Sequence, residues 1–273
     1  MDAAFRIATW YAPPYGFKGN SVVRIEYLYR FPIKGLMPEA LERTEVETGK
    51  CIPWDRAFAL AQGDNDFDPA NPEYRRPRLF MCGKLNARIA LLRASFDDRS
   101  GEISLLAPDG TGVMANGRYP EGRAEIGAFL AAYLGEEARG TPRFVHVPGH
   151  SFSDQRNQLI SLISLDSLRD LEAKAAARRH RRRFRANIWF SGAAPWAEFD
   201  WIGREIQVGG ARLRVTARIG RCIATEVNPE TAERDADPVG ELQRFYGHTD
   251  LGVYAEVIEG GRFAVGDGIE LLP

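Results

Sequence analysis

One cysteine in the last third of the chain has the neighbours that activate a thiol. Cys222 lies in "ARIGRCIATEVNP" (residues 217–229), directly after Arg221 and four residues after Arg218. Nearby positive charge favours the thiolate, which is the form that binds metals or attacks electrophiles. The residues alone therefore make Cys222 a candidate nucleophile or metal ligand, while a buried cysteine that acts as a small hydrophobe stays open.

The other candidate metal ligands have unsuitable spacing. With Cys51 and Cys82 the chain has three cysteines, and no two of them form a C-x-x-C pair. The odd number and the long spacings argue against a disulfide framework and an all-cysteine metal site. We expect Cys51 and Cys82 to be small buried hydrophobes. The two histidines of "HVPGH" (residues 146–150) are four apart, but the proline and glycine between them exclude a helix, so we expect no metal there.

Arginines and amides supply a second kind of chemistry. Residues 178–185 hold six arginines, which suits either a solvated helix end or a nucleic-acid patch. This run continues into "FRANIW", where Arg185 and Asn187 would share one face of a strand and could hold an anionic or heteroaromatic ligand. Lys34 in "FPIKG" and Arg56 in "PWDRAFAL" are, taken singly, surface charges or members of local ion pairs.

The composition limits the possible partners. The chain has 273 residues, of which 44% are hydrophobic and 27% charged, as in a globular protein. Lysine plus arginine number 36 against 37 acidic residues, so a net charge of -1 gives no general attraction to nucleic acid or anionic membrane. No apolar run approaches the ~20 residues of a membrane span, and the first residues do not resemble a signal peptide. We therefore expect a cytoplasmic protein without a membrane partner.

The hydrophobic pattern predicts a mixed, β-rich α+β chain. Strands followed by turns are predicted in the first ~115 residues, including 22–35, 88–95 and 103–107, and a hairpin turn at 109–110. Apolar residues at helical spacing predict two helices, and alternating residues predict the later strands. The helices are placed at 124–135 and 164–184, and the strands at 205–210, 212–219, 222–227, 251–257 and 268–272.

Several separate motifs together resemble one known family. "FPIKG", "DRAFAL", "SLISLDSLRDL", "FRANIW", "GRCIATEVNPETAERD", "LGVYAEV" and "FAVGDGIEL" occur in the order of the MOSC family, named for the C-terminal domain of molybdenum cofactor sulfurase. The chain is most similar to its two-part members, the mitochondrial amidoxime reducing components and their bacterial relatives. The resemblance covers about residues 22–273 and implies a β-barrel-like MOSC core. The predicted division is an extension (1–21), a β-rich N-terminal domain (22–120) and the MOSC domain (121–273).

The resemblance also implies a molybdenum cofactor (molybdopterin) site. In that family the cysteine of the Arg-Cys element coordinates molybdenum, which corresponds to Cys222 and makes it the catalytic residue. The residues that match the family's cofactor-binding positions are Lys34, Arg56, Ser164, Ser167, Arg185, Asn187 and Arg221. A pterin phosphate needs cations and amide donors, and a molybdenum centre with sulfur ligands suits a thiolate.

The function implied by this resemblance is an oxidoreductase that reduces N-hydroxylated small molecules by two electrons. The electrons would come from a separate flavin, haem or iron–sulfur protein, and no nucleic-acid partner is expected. Two alternatives remain. Cys222 could carry a persulfide in a sulfur carrier or sulfurtransferase. The chain could also be a non-enzymatic cofactor carrier, or an RNA-binding module that uses residues 178–185.

Overall fold

A computed structural model describes residues 22–63 and 65–273 of the protein. The predicted extension, residues 1–21, lies outside the described residues. Within the described part, three α-helices accompany fifteen strands. The helices are α1 (Pro120–Leu134), α2 (Leu165–Ala175) and α3 (Pro238–Tyr246). The strands are β1 (Arg24–Arg30), β2 (Glu39–Leu41), β3 (Arg43–Val46), β4 (Phe58–Ala61), β5 (Arg93–Phe96), β6 (Glu102–Leu106), β7 (Gly112–Asn116), β8 (Arg143–His146), β9 (Ile160–Ser164), β10 (Ile188–Ser191), β11 (Glu205–Val208), β12 (Ala211–Gly220), β13 (Asp250–Glu259), β14 (Gly261–Ala264) and β15 (Ile269–Leu271).

The main sheet has eight strands in the order β15-β11-β12-β13-β9-β10-β1-β2. Its neighbours are antiparallel except for β9 and β10, which are parallel. The alternation in β12 shows why the sheet forms, because Leu213 and Val215 are fully buried while Arg214 between them is exposed. One face of each strand therefore contributes to a common hydrophobic interior.

The sheet curls until its two ends meet. Arg24 in β1 forms an antiparallel bridge with Gly268, which directly precedes β15. The backbone N–H of Ile25 donates to the carbonyl of Asp267 at 3.0 Å, and that of Ile269 donates to Val23 at 2.8 Å. This closure confirms the predicted β-rich α+β class with a barrel-like core.

A second hydrophobic cluster lies outside this barrel. It combines β4, the β5-β6-β7 sheet and α1, which buries Ile126, Leu130 and Leu134 along one face. The strand β8 pairs with β4 in the same region. Meanwhile β1, near the start of the described chain, belongs to the barrel. The predicted boundary at residue 120 stays a prediction, and α1 packs with the elements that precede it.

Helix α2 is shorter than the sequence pattern predicted. Ser164 caps its first turn by accepting the backbone N–H groups of Asp166 and Ser167. The helix ends at Ala175, because Ala176 takes a left-handed conformation with φ of 50°. The predicted continuation to residue 184 is therefore wrong, and the arginine-rich run ends instead in a separate 3-10 turn at Arg181–Phe184.

Two other local predictions need correction, and one helix was missed. Residues 223–226 form a 3-10 turn and not a strand, because Thr225 bonds back to the carbonyl of Cys222. The first half of the predicted strand 88–95 is also a 3-10 turn, Ala87–Leu91. Helix α3 was not predicted; its Asp237 cap and Pro238 at the first position are recognisable start signals.

No helix among the described residues is long and apolar enough to cross a membrane.

Candidate functional site

Two arginines from distant parts of the chain lie against the ring of Phe31. The guanidinium carbons of Arg56 and Arg185 are each 4.5 Å from the ring centroid. Both residues have left-handed backbones, with φ of 54° and 53°, and Nη2 of Arg56 donates to the Arg185 carbonyl at 3.3 Å. Burial lowers the pKa of Arg185 to about 10, and the neighbouring charge of Arg56 adds to this effect.

The left-handed turn corrects the predicted geometry of the "FRANIW" segment. Because β10 begins only at Ile188, Arg185 and Asn187 do not alternate along one strand face. They still reach neighbouring groups, since Arg185 contacts Phe31 while Asn187 contacts Asp55, the residue beside Arg56. The structure therefore brings these two predicted residues together through the turn.

A buried polar network lies beneath the two arginines. The carboxylate of Asp55 accepts the Phe31 N–H at 2.8 Å and Nδ2 of Asn187 at 3.1 Å, and it pairs with Arg56. The side-chain oxygen of Asn187 accepts from the backbone N–H and hydroxyl of Ser161, at 3.1 and 2.7 Å. Asp55 and Asn187 are only 3% and 1% exposed. The sequence analysis missed Ser161, because its contact depends on the pairing of β9 with β10.

Lys34 adds a third cation to this region. Its ammonium donates to the Phe152 carbonyl at 2.9 Å and forms an ion pair with Asp154. The Lys34 side chain is 6% exposed, whereas that of Asp154 is 61% exposed. Partial loss of hydration opposes ionisation of Asp154, but Lys34, Arg56 and Arg185 outweigh it and lower its pKa. We call Lys34, Arg56 and Arg185 the cationic cluster. Asp154 adds an exposed carboxylate to it.

Arg221 lies at the end of β12 and contacts backbone carbonyls. Its Nε donates to the Leu251 carbonyl at 2.9 Å, a bond supported by Nη2, and its Nη1 donates to Phe184 at 2.8 Å. Burial lowers the pKa of this guanidinium to about 10. Arg221 therefore connects the end of β12 to the residue that precedes Arg185.

Cys222 follows Arg221 and has an exposed side chain with a free thiol. Its carbonyl accepts the N–H and hydroxyl of Thr225, at 3.0 and 2.9 Å, which fixes the cysteine turn (residues 222–226). Arg234 donates to Ile223 at 2.6 Å and to Lys84 at 2.8 Å. These bonds hold the cysteine turn against the segment that follows Cys82.

The other cysteines differ from each other in exposure. Cys51 is buried, as predicted, and burial raises the pKa of its thiol to about 12. Cys82 is half-buried, so the prediction of a fully buried side chain is wrong for this residue. Burial raises the pKa of the Cys82 thiol, while the positive charge of nearby Lys34 acts in the opposite direction. Cys82 therefore borders the cationic cluster.

The two predicted serines lie apart from this cluster. Ser164 caps α2, and its hydroxyl accepts from Asp166 and Ser167 at 3.1 and 3.3 Å. The hydroxyl of Ser167 donates to Glu198 and accepts from Trp196, at 2.9 and 2.8 Å. Neither serine has exposed surface. Their structural bonds occupy both hydroxyls, and their part in cofactor binding stays a prediction.

Much of the arginine-rich run is paired with carboxylates. Arg178 pairs with Glu172 at 2.9 Å, Arg179 with Glu241, and Arg183 with Asp235. The backbone of the same region joins the cysteine turn, because Arg183 also donates to the Glu226 carbonyl at 2.7 Å. Arg183 thus connects the run to the cysteine turn, and the three ion pairs leave less uncompensated charge than the sequence suggests.

The site combines groups that bind anions with a soft metal ligand. The cationic cluster has three positive charges against the carboxylates of Asp55 and Asp154, which leaves one net positive charge. Guanidinium and ammonium groups bind phosphate, and a thiolate binds metals that also have sulfur ligands. Among the described residues, no group of three or more His, Cys, Asp or Glu side chains could hold a metal ion.

Three known proteins are similar to parts of this chain. Mitochondrial amidoxime-reducing component 1 of Mus musculus is 31% identical over 134 residues, 45% of this chain and 38% of that protein. The Homo sapiens protein of that name is 31% identical over 136 residues, 45% of this chain and 39% of its own. Danio rerio molybdenum cofactor sulfurase is 34% identical over 74 residues, 27% of this chain and 9% of its own.

The matches to the amidoxime-reducing components span about two fifths of those proteins. Among solved structures, the YUAD protein from Bacillus subtilis covers 92% of this chain and 96% of its own, with 16% identity and a TM-score of 0.44. The family model described as the MOSC domain matches residues 148–270. The match confirms that residues 148–270 resemble the MOSC family, as the sequence motifs predicted.

Proposed function

We propose that this protein binds a molybdenum cofactor and reduces N-hydroxylated small molecules by two electrons. The observation that carries the proposal is the exposed thiol of Cys222 beside Arg221, whose guanidinium contacts the residue before Arg185. An exposed cysteine next to a partly buried cation has no packing role that would explain its position. The names of the related proteins support the same cofactor and reaction class.

The residues present fit an anionic cofactor with sulfur ligands. The cationic cluster has an excess of one positive charge, and Asp154 is the exposed carboxylate that pairs with Lys34. A phosphate could replace this carboxylate, because it would make the same charge-assisted hydrogen bonds. Cys222 would add the thiolate that molybdenum accepts.

Each residue has a separate part in this proposal. Cys222 would hold the metal, and Lys34, Arg56 and Arg185 would hold the phosphate and pterin. Asn187 would keep Arg56 in place through Asp55, and Arg221 would fix the backbone on which Cys222 is mounted. The bound cofactor would supply the two-electron chemistry. A separate flavin, haem or iron–sulfur protein would deliver the electrons, and the proposed setting is the cytoplasm.

The experiment is cofactor analysis after co-expression with the enzymes of molybdenum cofactor synthesis. Wild type should contain molybdenum and pterin in equal amounts, and should reduce benzamidoxime with a chemical electron donor. Cys222→Ser should lose the metal and keep part of the pterin, whereas Arg185→Gln should lose both. Cys51→Ser is the matched control, because it removes a buried thiol and should retain both components.

A sulfur carrier is the second candidate, because an exposed thiol is also open to persulfide formation. That function predicts a persulfide on Cys222 that cyanide releases as thiocyanate, in protein without molybdenum. Wild type that contains neither metal nor pterin after co-expression would contradict the reductase. The RNA-binding alternative has less support, because several arginines of the run are paired with carboxylates.

A further inference from the structure

A cavity of about 620 Å³ is lined in part by the chain segment that precedes Arg56. Its wall includes residues 50–55 of this segment, residues 146–151 at and after the end of β8, and two arginines, Arg118 just before α1 and Arg123 within it. None of the eight residues predicted to bind the cofactor lines it. The volume lies within the range of about 300–1,000 Å³ that is typical of small-molecule sites.

Most of the wall suits an apolar ligand. Ile52, Pro53 and Trp54 line one side, and Val147 and Pro148 line the other. Trp54 is held in a left-handed conformation with φ of 66°, a conformation that is uncommon for a bulky residue. Its ring stacks with that of His146 at 5.8 Å between centroids. The apolar body of a ligand would replace water on these surfaces.

Positive charge faces this apolar wall. Arg118 donates to the Arg99 carbonyl at 2.9 Å and lies 5.0 Å from the Trp54 ring, and Arg123 donates to the Arg118 carbonyl at 2.7 Å. Neither guanidinium has a carboxylate within salt-bridge distance in the described part of the chain. Lys50 adds an exposed ammonium. The carboxylates of Glu47, which is exposed, and Asp55, which pairs with Arg56, also line the cavity. The three cations outnumber these carboxylates and form no ion pair within the described part of the chain, so an anion in the cavity would meet an excess of positive charge.

His146 adds a hydrogen-bond acceptor to the same wall. Its Nδ1 is 3.0 Å from the Ala57 carbonyl, which can only accept, so the proton of the neutral ring belongs on Nδ1. Burial, with the charges of Arg123 and Arg118, lowers the pKa of this imidazole and so favours its neutral form. Its Nε2 can then accept from a hydroxyl or N–H of a ligand.

We propose that this cavity binds a small organic acid with an apolar body and a hydrogen-bond donor. Arg118, Arg123 and Lys50 would bind its carboxylate or sulfonate, the apolar wall would enclose its body, and His146 would accept from its donor. This proposal does not depend on the molybdenum cofactor. It adds a second ligand site that shares only the chain segment beside Arg56 with the cofactor site.

The test uses 8-anilinonaphthalene-1-sulfonate, which combines a sulfonate, an apolar ring system and an N–H group. Its fluorescence should report one saturable site per chain, and 1-naphthoate should displace it while neutral 1-naphthalenemethanol should not. In Arg118→Gln/Arg123→Gln the dissociation constant should rise about 10-fold or more, because charge-assisted hydrogen bonds are lost. Arg244→Gln, which removes the same charge from the exposed end of α3, should bind like wild type.

Further variants keep the proposal open to contradiction. If the double variant does not fold, Lys50→Glu should still weaken binding, since this side chain is exposed. Arg185→Gln should leave the affinity unchanged, because Arg185 belongs to the cationic cluster. The proposal is wrong if wild type shows no saturable site, if Arg185→Gln abolishes binding, or if the cavity variants bind as tightly as Arg244→Gln.

Discussion

The buried network at Asp55 and the exposed turn at Cys222 are two parts of one candidate site with opposite structural roles. Asp55 is 3% exposed, and its carboxylate accepts bonds from Phe31, Asn187 and Arg56. Cys222 is exposed, and only its backbone carbonyl contributes to the turn. The fold needs the network even when no ligand is bound, whereas it does not need the thiol.

This difference shows which residues can support a functional argument. A buried carboxylate needs an ion pair and hydrogen bonds, because these offset the cost of removing it from water. Burial alone therefore explains the contacts of Asp55. An exposed thiol beside a partly buried arginine has no such explanation, and nearby positive charge is the setting in which cysteines bind metals or attack electrophiles. The functional proposal therefore depends on Cys222, and the network provides the rigid support on which the cationic cluster is positioned.

The largest effect on stability is expected for Asp55→Ala. This change leaves the partly buried Arg56 without its carboxylate and removes the acceptor of Phe31 and Asn187. Breaking a buried pair in this way should lower the free energy of unfolding by about 3–5 kcal/mol. Urea denaturation measures the change, with Asp68→Ala at an exposed turn as the control. A loss below about 1 kcal/mol would show that the network is dispensable.

The sequence predicted the parts of the fold that depend on local alternation. Strand β12 was predicted because apolar and polar residues alternate along its first half, and buried and less buried positions follow that alternation in the structure. The end of α2 was misplaced, because the arginine-rich run continues a helical composition while Ala176 turns left-handed. The run then bonds to the cysteine turn and to Glu241. These contacts join residues far apart in the chain, so the local sequence pattern does not predict them.

The candidate site was predicted unevenly for the same reason. Cys222 was recognisable because its arginine neighbours are adjacent in sequence. Asp154 and Ser161 were missed, because Asp154 contacts Lys34 across 120 residues and Ser161 contacts Asn187 across 26. Ser164 matched a family motif, but its position before α2 makes it a helix cap. Residue type predicted the chemistry, and chain pairing decided which groups meet.

A smaller, pH-dependent effect is expected for Asp154→Asn. The pKa of Asp154 is lowered in the folded protein, so its ion pair with Lys34 contributes stability above the unfolded pKa of about 3.9. This contribution is lost as the pH falls through the folded value. The urea midpoint of the variant should lie slightly below that of wild type at pH 7, because water screens the exposed carboxylate. The two midpoints should coincide once Asp154 is protonated, and a gap that persists at that pH would contradict the ion-pair explanation.

The smallest effect on stability is expected for Cys222→Ser, because the side chain is exposed and the turn depends on its carbonyl. The free energy of unfolding should change by no more than about 0.5 kcal/mol, as at other exposed positions. The same thiol should react first with iodoacetamide at pH 8, since Cys51 is buried and burial raises its pKa to about 12. Peptide mass spectrometry after short exposure identifies the modified cysteine. A destabilised Cys222→Ser would give Cys222 a structural role, and faster labelling of Cys51 would show that the Cys222 thiol is not the accessible one. Either result would remove the reason to regard Cys222 as the ligand of a bound metal.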